Sequence, residues 1–118
     1  FPALGDAGVY LDSAATGLKP PAVIDASDQV YRLSAGNVHR SQFAAAQRLT
    51  ERYEGARERV AAWLNAPSGK DIGWTRGTTE AINMVAQSYV RPRLQPGDGI
   101  LVSEAEHHAN RVPGLMVA

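Results

Sequence analysis

From Pro21 onward, apolar residues fall at Val23, Ala26, Val30 and Leu33. Steps of three and four put them on one stripe of a helix. Pro20 and Pro21 suit its start, because the missing proline N–H has no partner in a first turn anyway. Ser34-Ala35-Gly36-Asn37 ends it, with Gly36 or Asn37 as the expected left-handed cap. A second stripe runs through Leu49, Tyr53, Ala56, Val60 and Trp63, and Arg48, Glu51, Arg52, Glu58 and Arg59 fill the other face. Gly55 inside this helix costs about 1 kcal/mol against alanine, so either a close helix contact explains it or nothing does. Asn65-Ala66-Pro67-Ser68-Gly69 closes the helix.

The period then shortens. Asp71-Ile72-Gly73-Trp74-Thr75 reads as a short strand, and Arg76-Gly77-Thr78-Thr79-Glu80 as a turn into a third helix. That helix has Ala81, Ile82, Val85, Ala86 and Tyr89 on its apolar face. Residues 91–98, Arg-Pro-Arg-Leu-Gln-Pro-Gly-Asp, form a loop rich in breakers. Gly99-Ile100-Leu101-Val102-Ser103 reads as a second strand, apolar on successive residues and so expected to be buried on both faces. Glu104 to Asn110 is polar, and a further helix is expected to begin at Val112. Near the start, Val9-Tyr10-Leu11 is a short strand or an extended anchor. Helices alternating with strands predict an α/β fold with a parallel sheet. Two buried strands make no stable parallel sheet by themselves. The chain is therefore expected to be the N-terminal portion of a larger protein.

Composition narrows the function. Twelve basic residues balance 12 acidic ones, so charge gives no reason to expect nucleic acid or an anionic membrane as partner. Hydrophobic residues at 44% and charged residues at 20% suit a folded chain. With no cysteine, these residues hold no disulfide, thiolate metal site or cysteine nucleophile. No apolar run approaches the roughly 20 residues of a spanning helix. No signal-peptide pattern is visible at Phe1-Pro2-Ala3-Leu4, and a cytoplasmic location is expected. The lysines are Lys19 and Lys70.

Three segments could carry chemistry. Gly77, Thr78 and Thr79 open the third helix, where free N–H groups and hydroxyls can cradle a phosphate. The plain alternative is capping, with Glu80 as half of a capping box. Glu106-His107-His108-Ala109-Asn110 follows a strand, where open α/β sheets bind ligands, and an imidazole there could stack on a flat cofactor ring. Its spacing does not suit a metal, so no metal site is expected. The plain alternative is a polar loop. Asn37-Val38-His39-Arg40-Ser41 sets a possible acid or base beside a possible carboxylate clamp, or is simply a loop between helices.

The order of these segments is informative. Tyr10-Leu11-Asp12-Ser13-Ala14-Ala15, Lys19-Pro20, Val38-His39-Arg40, Arg76-Gly77-Thr78-Thr79-Glu80-Ala81-Ile82-Asn83 and Glu106-His107-His108-Ala109-Asn110 together resemble the N-terminal part of cysteine desulfurases. The resemblance is to the SufS/CsdA type (cysteine desulfurase/cysteine sulfinate desulfinase) of the class V aminotransferases, nearest the CsdA branch. It covers nearly the whole chain. It implies a pyridoxal 5'-phosphate enzyme of fold type I, a mostly parallel sheet flanked by helices. On this resemblance, residues 1–35 are an N-terminal segment and helix, and 36–118 begin the large cofactor-binding domain. The family takes sulfur from L-cysteine, or from sulfinate and selenium analogues, leaving L-alanine and an enzyme persulfide. It works as a homodimer with a sulfur-acceptor protein, in sulfur metabolism and iron–sulfur cluster assembly. The resemblance assigns the cofactor phosphate to Thr78 and Thr79, the cofactor ring to His107, and the substrate end to Ala15, His39 and Arg40; His108 is expected only to pack.

The family's Schiff-base lysine lies in a Ser-x-His-Lys motif much further along, as do its persulfide cysteine and the arginine for the substrate carboxylate. Neither Lys19 nor Lys70 matches that motif, so these 118 residues are expected to be inactive alone. Two other readings stay open: a non-catalytic interaction or dimerisation fragment, and another class V enzyme with a different substrate.

Overall fold

The computed structural model describes all residues except Ala7, Ala35 and Ser41. Ala35 of the expected helix end and Ser41 of the His39 segment thus lie outside the described residues. The chain divides into two compact units, Phe1–Ile72 and Gly73–Ala118.

The first unit holds a short 3-10 turn at Pro2–Leu4, helix α1 (Pro21–Leu33), helix α2 (Ala44–Leu64) and a second 3-10 turn at Gly69–Asp71. Helix α1 starts where the prolines predict, with Pro20 extended and Pro21 opening the first turn. Its end differs from expectation. Ser34, in extended geometry, caps it by donating its N–H to the Val30 carbonyl. Gly36 serves a different purpose. It has φ +144°, and a Cβ there would lie 2.7 Å from the Ala46 Cβ and 2.9 Å from the Phe43 ring. Its lack of a side chain lets the loop press on the start of α2, where Ala46 is fully buried.

Helix α2 ends on Asn65, which adopts the left-handed conformation (φ 57°) just before Pro67. The chain then folds back onto α2. The Gly69 N–H donates to Glu58 Oε2 at 3.1 Å, and a Cβ on Gly69 would sit 2.6 Å from Glu58 Oε1. Arg57 Nε donates to the Ile72 carbonyl at 3.0 Å. Gly55 has no close contact to explain it, since a Cβ there would meet nothing within 4 Å.

In the second unit, helix α3 (Thr78–Val85) runs on through a π-helical turn at Ala86–Val90 and a 3-10 turn at Arg91–Arg93. Helical backbone thus enters the expected loop. The regular ladder gives way just ahead of Pro92, which has no N–H to offer. Arg93 folds back, its guanidinium 3.9 Å over the Tyr89 ring and donating to the Tyr89 carbonyl at 2.9 Å.

Helix α4 spans His108–Val117 and so begins a turn earlier than its apolar pattern indicates. The cause is His107, whose Nδ1 accepts the Ala109 N–H at 3.1 Å and caps the helix. Histidine is not a usual cap residue, and the first turn of α4 is polar, so periodicity alone misses it. Along α4, Gly114 brings the backbone over the 100–102 segment, where a Cβ would touch Ile100 at 3.6 Å and Val102 at 3.8 Å.

Among the described residues no strand forms. The first expected strand begins inside the Gly69–Asp71 turn and continues through extended Ile72. The second has no ladder, and Leu101 is 100% exposed rather than buried on both faces. Val9-Tyr10-Leu11 is likewise no strand. A parallel strand obtains its backbone hydrogen bonds only from neighbouring strands. Among the described residues these segments have none, so the parallel sheet of the expected α/β fold is not seen among them. No described helix is long and apolar enough to cross a membrane.

Candidate cofactor and substrate site

The start of α3 offers a donor set. Gly77 is its N-cap, in extended geometry and without a side-chain cap, and the first intrahelical bond runs from the Ala81 N–H to the Gly77 carbonyl. The N–H groups ahead of Ala81 therefore lack partners inside the helix, at the positive end of its dipole. Thr78 and Thr79 are both exposed, so their hydroxyls are open to a ligand. They line a depression with Arg76, Gly77, Glu80 and Asn83. Amides, hydroxyls and a helix dipole fit a phosphate group.

Glu80 does not complete the expected capping box at Gly77. Its carboxylate reaches one residue further, taking the Arg76 N–H at 2.6 Å and the Arg76 guanidinium at 3.0 Å. Arg76 thus compensates an acidic charge beside a helix start that would otherwise disfavour an anion. The Arg76 side-chain hydrogen bonds, then its backbone N–H, hold the Glu80 carboxyl below the usual carboxylate range. A folded value below the unfolded one means that this contribution is present above the ordinary carboxylate range. It is lost as pH falls through the lowered folded value. Glu80 should titrate below the ordinary glutamate range by NMR, and Arg76→Ala should return it upward. Since the Arg76 side chain is 91% exposed, added salt should shrink the difference. A Glu80 titration unmoved by Arg76→Ala would contradict this assignment.

His107 sits at the start of α4 in the same unit. With Nδ1 accepting the Ala109 N–H, its neutral ring carries the proton on Nε2. His108 meets it edgewise at 6.2 Å between centroids. His108 is exposed in this chain.

The remaining candidates lie in the first unit. Ala15 is exposed in a turn where the Ala15 and Thr16 N–H groups both bond the Asp12 carbonyl at 3.1 Å. The Tyr10 hydroxyl braces this turn against the carbonyls of Asp12 (3.0 Å) and Thr16 (2.8 Å). His39 and Arg40 share another turn, and both are exposed. His39 has φ +66°, uncommon without glycine. Its Nε2 lies 2.9 Å from Glu54 Oε1, and its ring meets Tyr53 edgewise. Arg57 Nη1 holds both Glu54 oxygens, at 3.3 and 3.2 Å.

Neither Glu54 nor Arg57 stands out in the sequence. Their i,i+3 spacing is legible, but the pairing of Glu54 with His39 is not. The like-charge pair Glu54 and Glu58, four residues apart, is resolved by separation: Glu54 takes His39 and Arg57, while Glu58 takes the Gly69 N–H.

Residues 9–118 match the aminotransferase class-V family, and the chain belongs to it. Within that family its relatives are cysteine desulfurases. It is 77% identical to cysteine desulfurase CsdA of Escherichia coli (strain K12) over 118 residues, the whole of this chain and 29% of that protein. A probable cysteine desulfurase of Vibrio cholerae is 56% identical over the whole chain, which covers 30% of that protein. The crystal structure of E. coli CsdA in an S-sulfonic acid form matches 99% of this chain at a TM-score of 0.80. The chain spans only about three-tenths of the relatives it matches.

Proposed function

We propose that this chain forms part of a pyridoxal-phosphate cysteine desulfurase that takes sulfur from L-cysteine and leaves L-alanine. The carrying observation is the open α3 start, with uncapped Gly77 and the exposed Thr78 and Thr79, in a chain 77% identical to a desulfurase. When bound, pyridoxal phosphate supplies the electron sink that lets the substrate's carbon–sulfur bond break. Thr78, Thr79 and the amides of the α3 start would hold its phosphate. His107 would cover its ring, and Ala15, His39 and Arg40 would line the substrate end. The persulfide-bearing cysteine and the cofactor's lysine belong to the remainder of the enzyme. Homodimerisation, a sulfur-acceptor protein, a role in iron–sulfur cluster assembly and a cytoplasmic location belong to the same reading. It rests on the likeness to desulfurases.

The test is cofactor titration of the full-length protein carrying this segment, with L-alanine formation from L-cysteine measured alongside. Thr79→Ala removes one hydrogen bond to a charged acceptor and should weaken cofactor binding about ten- to a hundredfold. The amides and helix dipole remain, so binding should persist. Unchanged affinity would mean that this turn is only a cap. Absence of L-alanine formation by the wild-type protein would overturn the desulfurase reading.

A further inference from the structure

We infer that Glu54 is a positioning residue for His39, fixing the tautomer and orientation of its ring. The relevance of this to turnover rests on the reading above that His39 lies at the substrate end. The turn carrying His39 is fastened to α2 at both backbone and side chain. Its left-handed backbone is held by the His39 N–H donating to Thr50 Oγ1 at 3.1 Å, and Thr50 Oγ1 in turn donates to the Ala46 carbonyl at 2.9 Å. The ring edge rests against Tyr53 at 5.9 Å and 88°.

Glu54 accepts from the ring at 2.9 Å. A carboxylate only accepts, so Nε2 must carry a proton. The neutral ring then presents Nδ1 as its acceptor nitrogen. Glu54 is itself fastened by Arg57, whose side chain is 22% exposed and whose Nε is anchored on the Ile72 carbonyl. An ordinary surface ion pair swings freely at both ends and contributes little. Here each member is held by another group, which turns a surface contact into an orienting one.

The experiment uses the full-length protein with Glu54→Ala, Glu54→Met and Glu54→Gln. Long-range proton–nitrogen NMR of the imidazoles, with His39 assigned by its loss in His39→Ala, reads the tautomer while the ring is neutral. Wild type and Glu54→Gln should show Nε2–H, because the amide oxygen still accepts. Glu54→Ala and Glu54→Met, which offer no acceptor, should show a tautomer mixture. Methionine keeps the length and helix preference of the site, so the comparison survives if the alanine variant folds poorly. Turnover of L-cysteine should fall about tenfold in the Ala and Met variants, the size of one hydrogen bond to a charged group, and recover in Glu54→Gln. Cofactor affinity should stay within about twofold, since no bond to the phosphate changes. In a His39→Ala background, Glu54→Ala should cost nothing further. A His39 tautomer unchanged in both Glu54→Ala and Glu54→Met overturns the inference. If His39→Ala leaves turnover intact, the placing of His39 at the substrate end is what fails, and the tautomer still decides the role of Glu54.

Discussion

On its own, the 118-residue chain should unfold without a cooperative transition and should bind a hydrophobic dye. Among the described residues the buried apolar side chains are Ala46, Ala61, Ala86 and Pro113, and no large side chain is fully buried. Alanine contributes little apolar area, and small domains are marginal even with a full core. Meanwhile Leu11 is 91% exposed, Tyr31 89%, Trp63 84% and Leu101 100%. In the second unit, α3, the 100–102 segment and α4 surround a groove lined by Ile82, Val85, Ile100, Val102 and Val117 together with the polar Ser103, Glu106 and Asn110. Surfaces of this kind drive association. The checks are a thermal melt followed by circular dichroism, dye fluorescence and light scattering. A monodisperse monomer with a sharp melt and no dye binding would contradict the expectation. The secondary structure itself should persist in part, since α2 has 21 residues and a left-handed cap.

In the full-length protein, His107→Ala should lower turnover by about a hundredfold or more if the ring serves the cofactor and a proton transfer. The structure adds a complication, because the same ring caps α4 through Nδ1. Removing a cap of this kind costs about 1 kcal/mol, which by itself would loosen the helix start. His107→Asn separates the effects. Asparagine is among the best N-cap residues and keeps an acceptor for the Ala109 N–H, but has no aromatic face. Amide exchange at Ala109 should be fast in His107→Ala and slow again in His107→Asn, while turnover stays low in both. Recovery of turnover in His107→Asn would reduce His107 to a cap. His108→Ala should leave turnover near wild type, since no cofactor or substrate role falls on it.

Local features were well written in the sequence. The prolines announce the start of α1, the four-three spacing announces α2, and Asn65 before Pro67 announces its end. Each depends on residues within a turn of one another, so intrinsic preference and periodicity suffice. Gly77 as the α3 cap was legible for the same reason. The Thr78-Thr79 and His107 motifs were legible only as an ordered set, because each alone has an ordinary structural explanation.

Particular side-chain contacts were not legible. Gly36 looked like a cap, but its value lies in touching Phe43 and Ala46. His107 looked like a loop residue, but its ring turns to a backbone N–H that no hydropathy pattern marks. The pairing of His39 with Glu54 joins positions with no periodic relation, and it depends on a left-handed turn at His39. The strands fail for the complementary reason. Helix hydrogen bonds close within a few residues, so this sequence determines its helices by itself. Strand hydrogen bonds close only on a neighbour, so whether 71–75 and 99–103 become strands is decided by tertiary structure, and among the described residues that neighbour is not supplied.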